Sequence, residues 1–170
     1  MTGELTAGFL ANLELPTGTV TLRRARAGDV PALVALIAAD PVAVARGDVP
    51  DGDPTRYLAA FEAIDADPGE LLVVADHRGE VVGTLQLSFL PGLARLGATR
   101  AQVEAVRVRA DQRGNGVGGA MMGWAVDEAG RRGCGLVQLT SDVSRVDAHR
   151  FYERLGFVAS HTGFKLRLPR

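Results

Sequence analysis

Residues 103–119 read Val-Glu-Ala-Val-Arg-Val-Arg-Ala-Asp-Gln-Arg-Gly-Asn-Gly-Val-Gly-Gly. The opening part belongs to a strand-like stretch, about Arg100 to Arg109. The closing part, Arg113–Gly119, runs into a segment where Val117, Met121, Trp124 and Ala125 recur at helical spacing as far as about Arg131. A strand therefore passes through a glycine-rich loop into a helix. The first-turn amides of a helix lack intrahelical partners, and the helix dipole is positive there. Glycine lets such backbone approach a ligand closely. Together these features make a phosphate cradle, and Arg113 adds a planar fork matched to phosphate oxygens.

The glycines alone leave a ligand-free helix start as open as a phosphate site. A dinucleotide fingerprint is a further reading. Gly114, Gly116 and Gly119 satisfy G-x-G-x-x-G, and Asp142 lies beyond the next strand. That fingerprint follows a first strand tightly, however, whereas Arg109–Arg113 intervene here and little chain remains after Asp142. A nucleoside-triphosphate loop fails because no Lys-Ser or Lys-Thr follows the glycines.

Working outward, Thr19–Arg24 reads as the first strand. Asp29 and Pro31 mark the start of a helix that Pro41 ends. Residues 42–54 (VAVARGDVPDGDP) read as a loop, and Thr55–Asp65 as a second helix. Leu71–Ala75 and Val81–Phe89 are strands joined around His77–Glu80, and Pro91–Ala98 is a loop. Downstream, Leu136–Thr140 is a short strand. Asp142 or Ser144 can cap a helix reaching Leu155, Gly156 ends it, and Phe157–Leu168 supplies one or two final strands. The order is β-α-α-β-β-β-α-β-α-β. No repeat or internal break interrupts it, so residues 17–170 read as one domain behind a loose or partner-dependent extension over 1–16.

A 170-residue chain with 46% hydrophobic and 23% charged residues has the make-up of one globular domain. Its net charge of −1 argues against a general nucleic-acid binder. One cysteine, Cys134, allows no internal disulfide and fits a cytoplasmic setting. Residues 1–18 hold no Lys or Arg and only short apolar stretches, so neither a signal peptide nor a membrane span is expected.

Arg113-x-x-Gly116-x-Gly118 resembles the R/Q-x-x-G-x-G/A signature of the GNAT acetyltransferase superfamily. The segment before it resembles that family's fourth strand entering its pyrophosphate loop. Ala148-His149-Arg150-Phe151-Tyr152-Glu153-Arg154-Leu155-Gly156-Phe157 resembles the family's A-x-x-[LF]-Y-x-x-x-G-F segment. The likeness is specific over about Arg100–Phe157, architectural over Thr19–Phe89, and does not reach the first sixteen or so residues. It implies an α/β (α+β) single-domain fold: a mixed, mostly antiparallel sheet of six to seven strands, about four flanking helices, and a splay between the fourth and fifth strands.

The resemblance also implies acetyl-CoA as co-substrate. Backbone groups of Val106, Arg107 and Val108 would pair with the pantetheine arm, much as a strand adds to a sheet edge. Arg113, Gly114, Asn115, Gly116, Val117, Gly118 and Gly119 would hold the pyrophosphate. Arg145 stands where many members carry asparagine, and would either touch a CoA phosphate or face water. Similar enzymes often place a basic glutamate at the position of Glu104. Strand alternation puts Glu104 with Val106 and Val108, opposite Ala105 and Arg107. A general base and a solvated strand-end glutamate both fit. Tyr152 takes the motif tyrosine, where a phenol can protonate a departing thiolate; a core-packed ring is the other reading.

His149 lies two residues after Asp147, a spacing that points the two apart on a helix. His77, His161 and Cys134 lack metal-ligand spacing, so no metal site is expected. Asp40, Asp48, Asp51 and Asp53 either attract a cationic acceptor or form a solvated polar loop. The expected activity is direct, ternary-complex transfer of an acetyl group to a primary amine of a small molecule. A protein or peptide N-acetyltransferase and a non-catalytic acyl-CoA-binding module are the rivals. No nucleic-acid or membrane partner is expected, and a homodimer is among the expected assemblies.

Overall fold

Strand pairing in chain order builds the sheet: β1 (Phe9–Leu15), β2 (Gly18–Arg24), β3 (Glu70–His77), β4 (Glu80–Leu90), β5 (Arg100–Val108) and β6 (Leu136–Leu139). This is seen in a computed structural model that describes residues 8–45, 47 and 52–168. Neighbours from β1 to β5 are antiparallel, whereas β6 runs parallel to β5. Around the sheet lie α1 (Val30–Ala38), α2 (Pro41–Ala45), α3 (Thr55–Ala66), the single turn α4 (Ala94–Gly97), α5 (Val117–Arg131) and α6 (Val146–Arg154).

The period-2 pattern of the strands gives the sheet two apolar faces. Leu71, Val73, Ala75, Leu85, Leu87 and Val103 face α5, whose Val117, Met121, Met122 and Ala125 are buried against them. Val74 lies in the second cluster, with Val30 and Leu33 of α1 and Phe61 of α3. At Gly83 an added Cβ would come within 3.0 Å of both the Arg107 carbonyl oxygen and the Met121 sulfur. Glycine there lets β4 fit beneath α5 and against β5.

Four sequence expectations need correction. Residues 9–15, read as part of a loose extension, form an edge strand whose Leu10, Leu13 and Leu15 pack on the main core. Strand numbering therefore shifts by one, and the expected splay falls between β5 and β6. Pro41 does not only follow a helix. It opens α2 as its first residue, a position where the missing N–H costs nothing. Asp29 does not cap α1 through its side chain. Its carboxylate takes two bonds from Arg23, at 2.7 and 2.9 Å, and one from the Arg26 amide at 2.7 Å. Finally, residues 157–168 form no strand. A strand needs a ladder partner, and among the described residues this segment finds none.

Candidate active site

The departure of β5 from β6 creates the site. The two strands pair only where Arg100–Val103 meet Leu136–Leu139. Beyond Val103, β5 continues to Val108 with β4 as its neighbour. Its other edge is left open toward α6 and the α1–α2 junction. The cleft there, about 260 Å³, is lined by Asp40, Pro41, Val42, Val106, Arg107, Val108, Arg113 and Arg145. Of the residues assigned to CoA, it brings Val106, Arg107, Val108, Arg113 and Arg145 together.

A bulge in β5 sets which side chains face this cleft. Gln86 pairs with Glu104 but Thr84 pairs with Arg107, so β5 carries one extra residue. Ala105 absorbs it in the left-handed region, at φ 52°. The extra residue reverses the alternation. Val103 before the bulge and Val106 and Val108 after it all pack toward the α5 core. Glu104 thus does not share a face with Val106 and Val108, as simple alternation implied. It is exposed beside Gln102, whose Nε2 donates to Glu104 Oε1 at 3.1 Å. By the same count it shares a face with Arg107.

The glycine loop closes one end of the cleft. Gly114 and Gly116 have φ 82° and 85°, conformations that suit glycine. Gly116 is the N-cap of α5, and the first helical bond runs from the Ala120 amide to its carbonyl at 3.0 Å. The amides of Val117, Gly118 and Gly119 are the first-turn donors of the helix. Space beside Gly114 and Gly119 is open, with nothing within 4 Å of an added Cβ. Arg113 stands at the lip, its Nε donating to the Val108 carbonyl at 3.1 Å. An amide-lined helix mouth, an open strand edge and a flanking guanidinium fit a diphosphate with an extended thioester arm.

The centre of the cleft holds a charge cluster with no counterpart in any local sequence pattern. Asp40, only 4% exposed, accepts from Arg107 Nη2 at 2.7 Å and from Arg145 Nη2 on the same carboxylate oxygen, Oδ2. Its Oδ1 accepts the Val42 amide at 3.1 Å. Burial opposes its ionisation, but Arg145, Arg107 and the Val42 amide outweigh that and hold the carboxyl below its usual range. Asp40 is thus a neutralised anchor rather than a magnet for cations. Arg145, offered a CoA phosphate or water by the sequence, is drawn to this anchor instead. Asp53 accepts the Thr55 amide at 2.9 Å. Asp48 and Asp51 lie outside the described residues.

Tyr152 on α6 lies within the electrostatic reach of the same cluster. Burial pushes its phenol above the ordinary value, partly offset by the positive fields of Arg107 and Arg145. Its ring packs edge-on against Phe151 and Phe157, with centroids 5.1 and 6.0 Å away. The ring is packed, as one of the two sequence readings had it, and burial favours the protonated phenol. His149 Nε2 lies 2.9 Å from the Asp142 carbonyl. Burial raises the Cys134 thiol, which leaves it a poor nucleophile. Among the described residues, no cluster of His, Cys, Asp and Glu is arranged to hold a metal, and no helix is long and apolar enough to cross a membrane.

Known proteins are similar to this chain in sequence or fold. An aminoalkylphosphonate N-acetyltransferase of Salmonella typhimurium (strain LT2) is 32% identical over 112 residues, 66% of this chain and 72% of that protein. A transcriptional regulator from Bacillus halodurans C-125 has 41% identity and a TM-score of 0.81, with 88% of this chain and 99% of that one covered. A protein of Clostridium acetobutylicum solved with acetyl-CoA shares the fold at 18% identity and TM-score 0.67, covering 87% and 96% of the two chains. The sequence profile of the acetyltransferase (GNAT) family matches residues 32–157, and with the splayed sheet and glycine-lined helix mouth this shows that the chain belongs to that family.

Proposed function

We propose that the protein transfers an acetyl group from acetyl-CoA directly to the primary amine of a small molecule. The observation that carries this reading is the cleft along the open β5 edge, with Arg113 of the loop leading into α5 at its lip and Tyr152 within the fields of Arg107 and Arg145 that line it. The family supports an acetyl donor. The cleft supports a donor with phosphates, because among the described residues its lining carries three guanidinium groups, Arg107, Arg113 and Arg145, and one carboxylate, Asp40. The surplus positive charge also favours an acceptor that carries an acidic group beside its amine. The named activity of the Salmonella relative points to the same acceptor class.

Val106–Val108 would hold the arm of the co-substrate through backbone groups, and Arg113–Gly119 its diphosphate. When bound, the thioester supplies an activated acetyl carbonyl. Glu104 takes the proton that the attacking amine sheds, directly or through water. Tyr152 donates a proton to the sulfur as the carbon–sulfur bond breaks. The transfer is direct and forms no acyl-enzyme, in keeping with the raised thiol of Cys134.

The test is release of free thiol from acetyl-CoA, scored over simple amines, aminoalkylphosphonates, amino acids and peptides. Aminoalkylphosphonates or amino acids are expected to give the highest kcat/KM. Selective turnover of peptides would replace this reading with a protein N-acetyltransferase. Tight acetyl-CoA binding with no acceptor-dependent release would favour the binding module, a role that the Bacillus relative's designation makes worth testing. Glu104→Gln is expected to lower kcat/KM roughly 10²-fold, with part of the loss recovered as pH rises and more amine is already neutral. A pH–rate profile unchanged by the substitution would remove Glu104 from the mechanism.

A further inference from the structure

Leu71, Leu85, Leu87 and Val103 face α5, so alternation turns Glu70, Gln86, Ser88, Gln102 and Glu104 to the other face of the sheet. Val137 and Leu139 pack on the α5 side of β6, which puts Gln138 on that second face too. Glu70, Ser88, Gln102 and Gln138 are successive register partners across four strands, and Gln86 partners Glu104 in the next row. Hydrogen bonds divide these side chains into two groups. On β3 and β4, Gln86 Nε2 and Ser88 Oγ donate to Glu70 Oε2 at 2.7 and 2.9 Å. On β5 and β6, Gln138 Nε2 donates to Gln102 Oε1 at 2.6 Å, and Gln102 Nε2 donates to Glu104 Oε1 at 3.1 Å. Gln86 stands opposite Glu104 yet turns its amide to Glu70. The support of Glu104 therefore comes from the β5–β6 side.

This chain of amides has one direction. An ionised carboxylate only accepts, so Gln102 must present its NH2 group to Glu104. Its oxygen then turns to β6, where the Gln138 NH2 group meets it. Gln138 thus bars the reversed amide, which would set an oxygen against the carboxylate. Both glutamines are half-buried and lie in the paired part of the fork, which ends at Val103 and Leu139. Glu104 is the first β5 residue beyond it, just before the bulge at Ala105. An exposed glutamate samples several rotamers unless something holds it. Among the described residues only Gln102 bonds Glu104, and it takes one oxygen. We propose that Gln102 and Gln138 are positioning residues for proton removal. They form a two-amide brace that holds Glu104 by Oε1 and leaves Oε2 to the acceptor amine or to a water between them. The proposal rests on Glu104 as the base. In that step the amine N–H bond breaks, its electron pair stays on nitrogen to attack the acetyl carbonyl, and the proton passes to Oε2. Misplacing a reacting group by about 1 Å can cost on the order of 10²-fold in rate. Side chains that never touch the acceptor can therefore act on kcat.

A kinetic double-mutant cycle on the full chain tests the brace, read as thiol release from acetyl-CoA with the fastest acceptor of the panel above. Gln102→Leu is expected to lower kcat roughly 10-fold and leave KM for acetyl-CoA and for the acceptor unchanged. Part of that loss should return as pH rises, as for Glu104→Gln, because both variants impair the same proton transfer. Gln138→Leu, which leaves the contact to Glu104 in place but frees the Gln102 amide to turn, should lower kcat by a smaller factor. In the Glu104→Gln background, Gln102→Leu should change kcat by less than about 2-fold, since no base is left to position. A Gln102→Leu variant with native kcat, beside a slow Glu104→Gln, overturns the brace and leaves Glu104 as the base. An equal loss from Gln102→Leu in both backgrounds also overturns it, as does a raised acceptor KM with unchanged kcat, which would make Gln102 an acceptor contact. A fully active Glu104→Gln removes the base and its brace together.

Discussion

Tyr152→Phe is expected to lower kcat by roughly 10²-fold or more, the range for loss of a general acid, with little change in KM or melting temperature. The ring carries the edge-on contacts to Phe151 and Phe157, and phenylalanine keeps them. Only the hydroxyl is lost, and no packed volume goes with it. The raised phenol stays protonated through the neutral range, so in the native protein it is always available as a donor. The effect belongs in kcat because the sulfur gains negative charge only as its bond to carbon breaks. Steady-state kinetics with a saturating acceptor, together with a melting curve, check both halves. Unchanged turnover would make Tyr152 a packing residue. Lost turnover with an equally large fall in Tm would likewise assign it to packing.

Asp40→Asn is expected to destabilise the fold more than most surface changes. Asparagine keeps the volume and an acceptor for the Val42 amide but removes the charge that holds Arg107 and Arg145 together. Breaking a fully buried pair by removing one partner costs ~3–5 kcal/mol. The side chains of Arg107 and Arg145 remain 22% and 27% exposed, so water takes up part of the loss. About 2–3 kcal/mol, or roughly 4–12 °C in Tm for a chain of this size, is the expectation at neutral pH. Its pH dependence has a fixed sign. The carboxyl of Asp40 lies lower in the folded state than in the unfolded state. Its contribution is complete above the unfolded value and fades as pH falls through the folded one. The gap between native and variant melting curves should therefore narrow only in acid, below the usual carboxylate range. A gap of equal size at neutral pH and in strong acid would assign the effect to shape rather than charge.

How much of this was legible depends on how local each signal is. The Arg113–Gly119 loop was readable because its chemistry lies in consecutive residues, and α5 ends at Arg131 as its periodicity requires. The β1–β2 hairpin was readable too: Leu13 and Leu15 alternate with Glu14, and Pro16 and Thr17 make the turn before Gly18. An expected extension obscured it. The bulge at Ala105 was not readable, since nothing about an alanine demands φ 52° and only pairing with β4 reveals the extra residue. Nor was the Asp40 cluster, because positions 40, 107 and 145 meet only after the sheet is assembled. Asp40 sits among several aspartates in the sequence, and burial alone sets it apart. The strand expected over Phe157–Leu168 is not formed, because among the described residues the segment has no ladder partner.

A crystal structure with acetyl-CoA tests the cleft most directly. The diphosphate is expected within hydrogen-bond distance of the Val117, Gly118 and Gly119 amides. The thioester arm should lie against the open edge of Val106–Val108, with its sulfur nearest Tyr152. Coenzyme bound away from the α5 mouth, or β5 and β6 paired along their whole length with no gap beside Val106, would contradict this placement and the mechanism built on it.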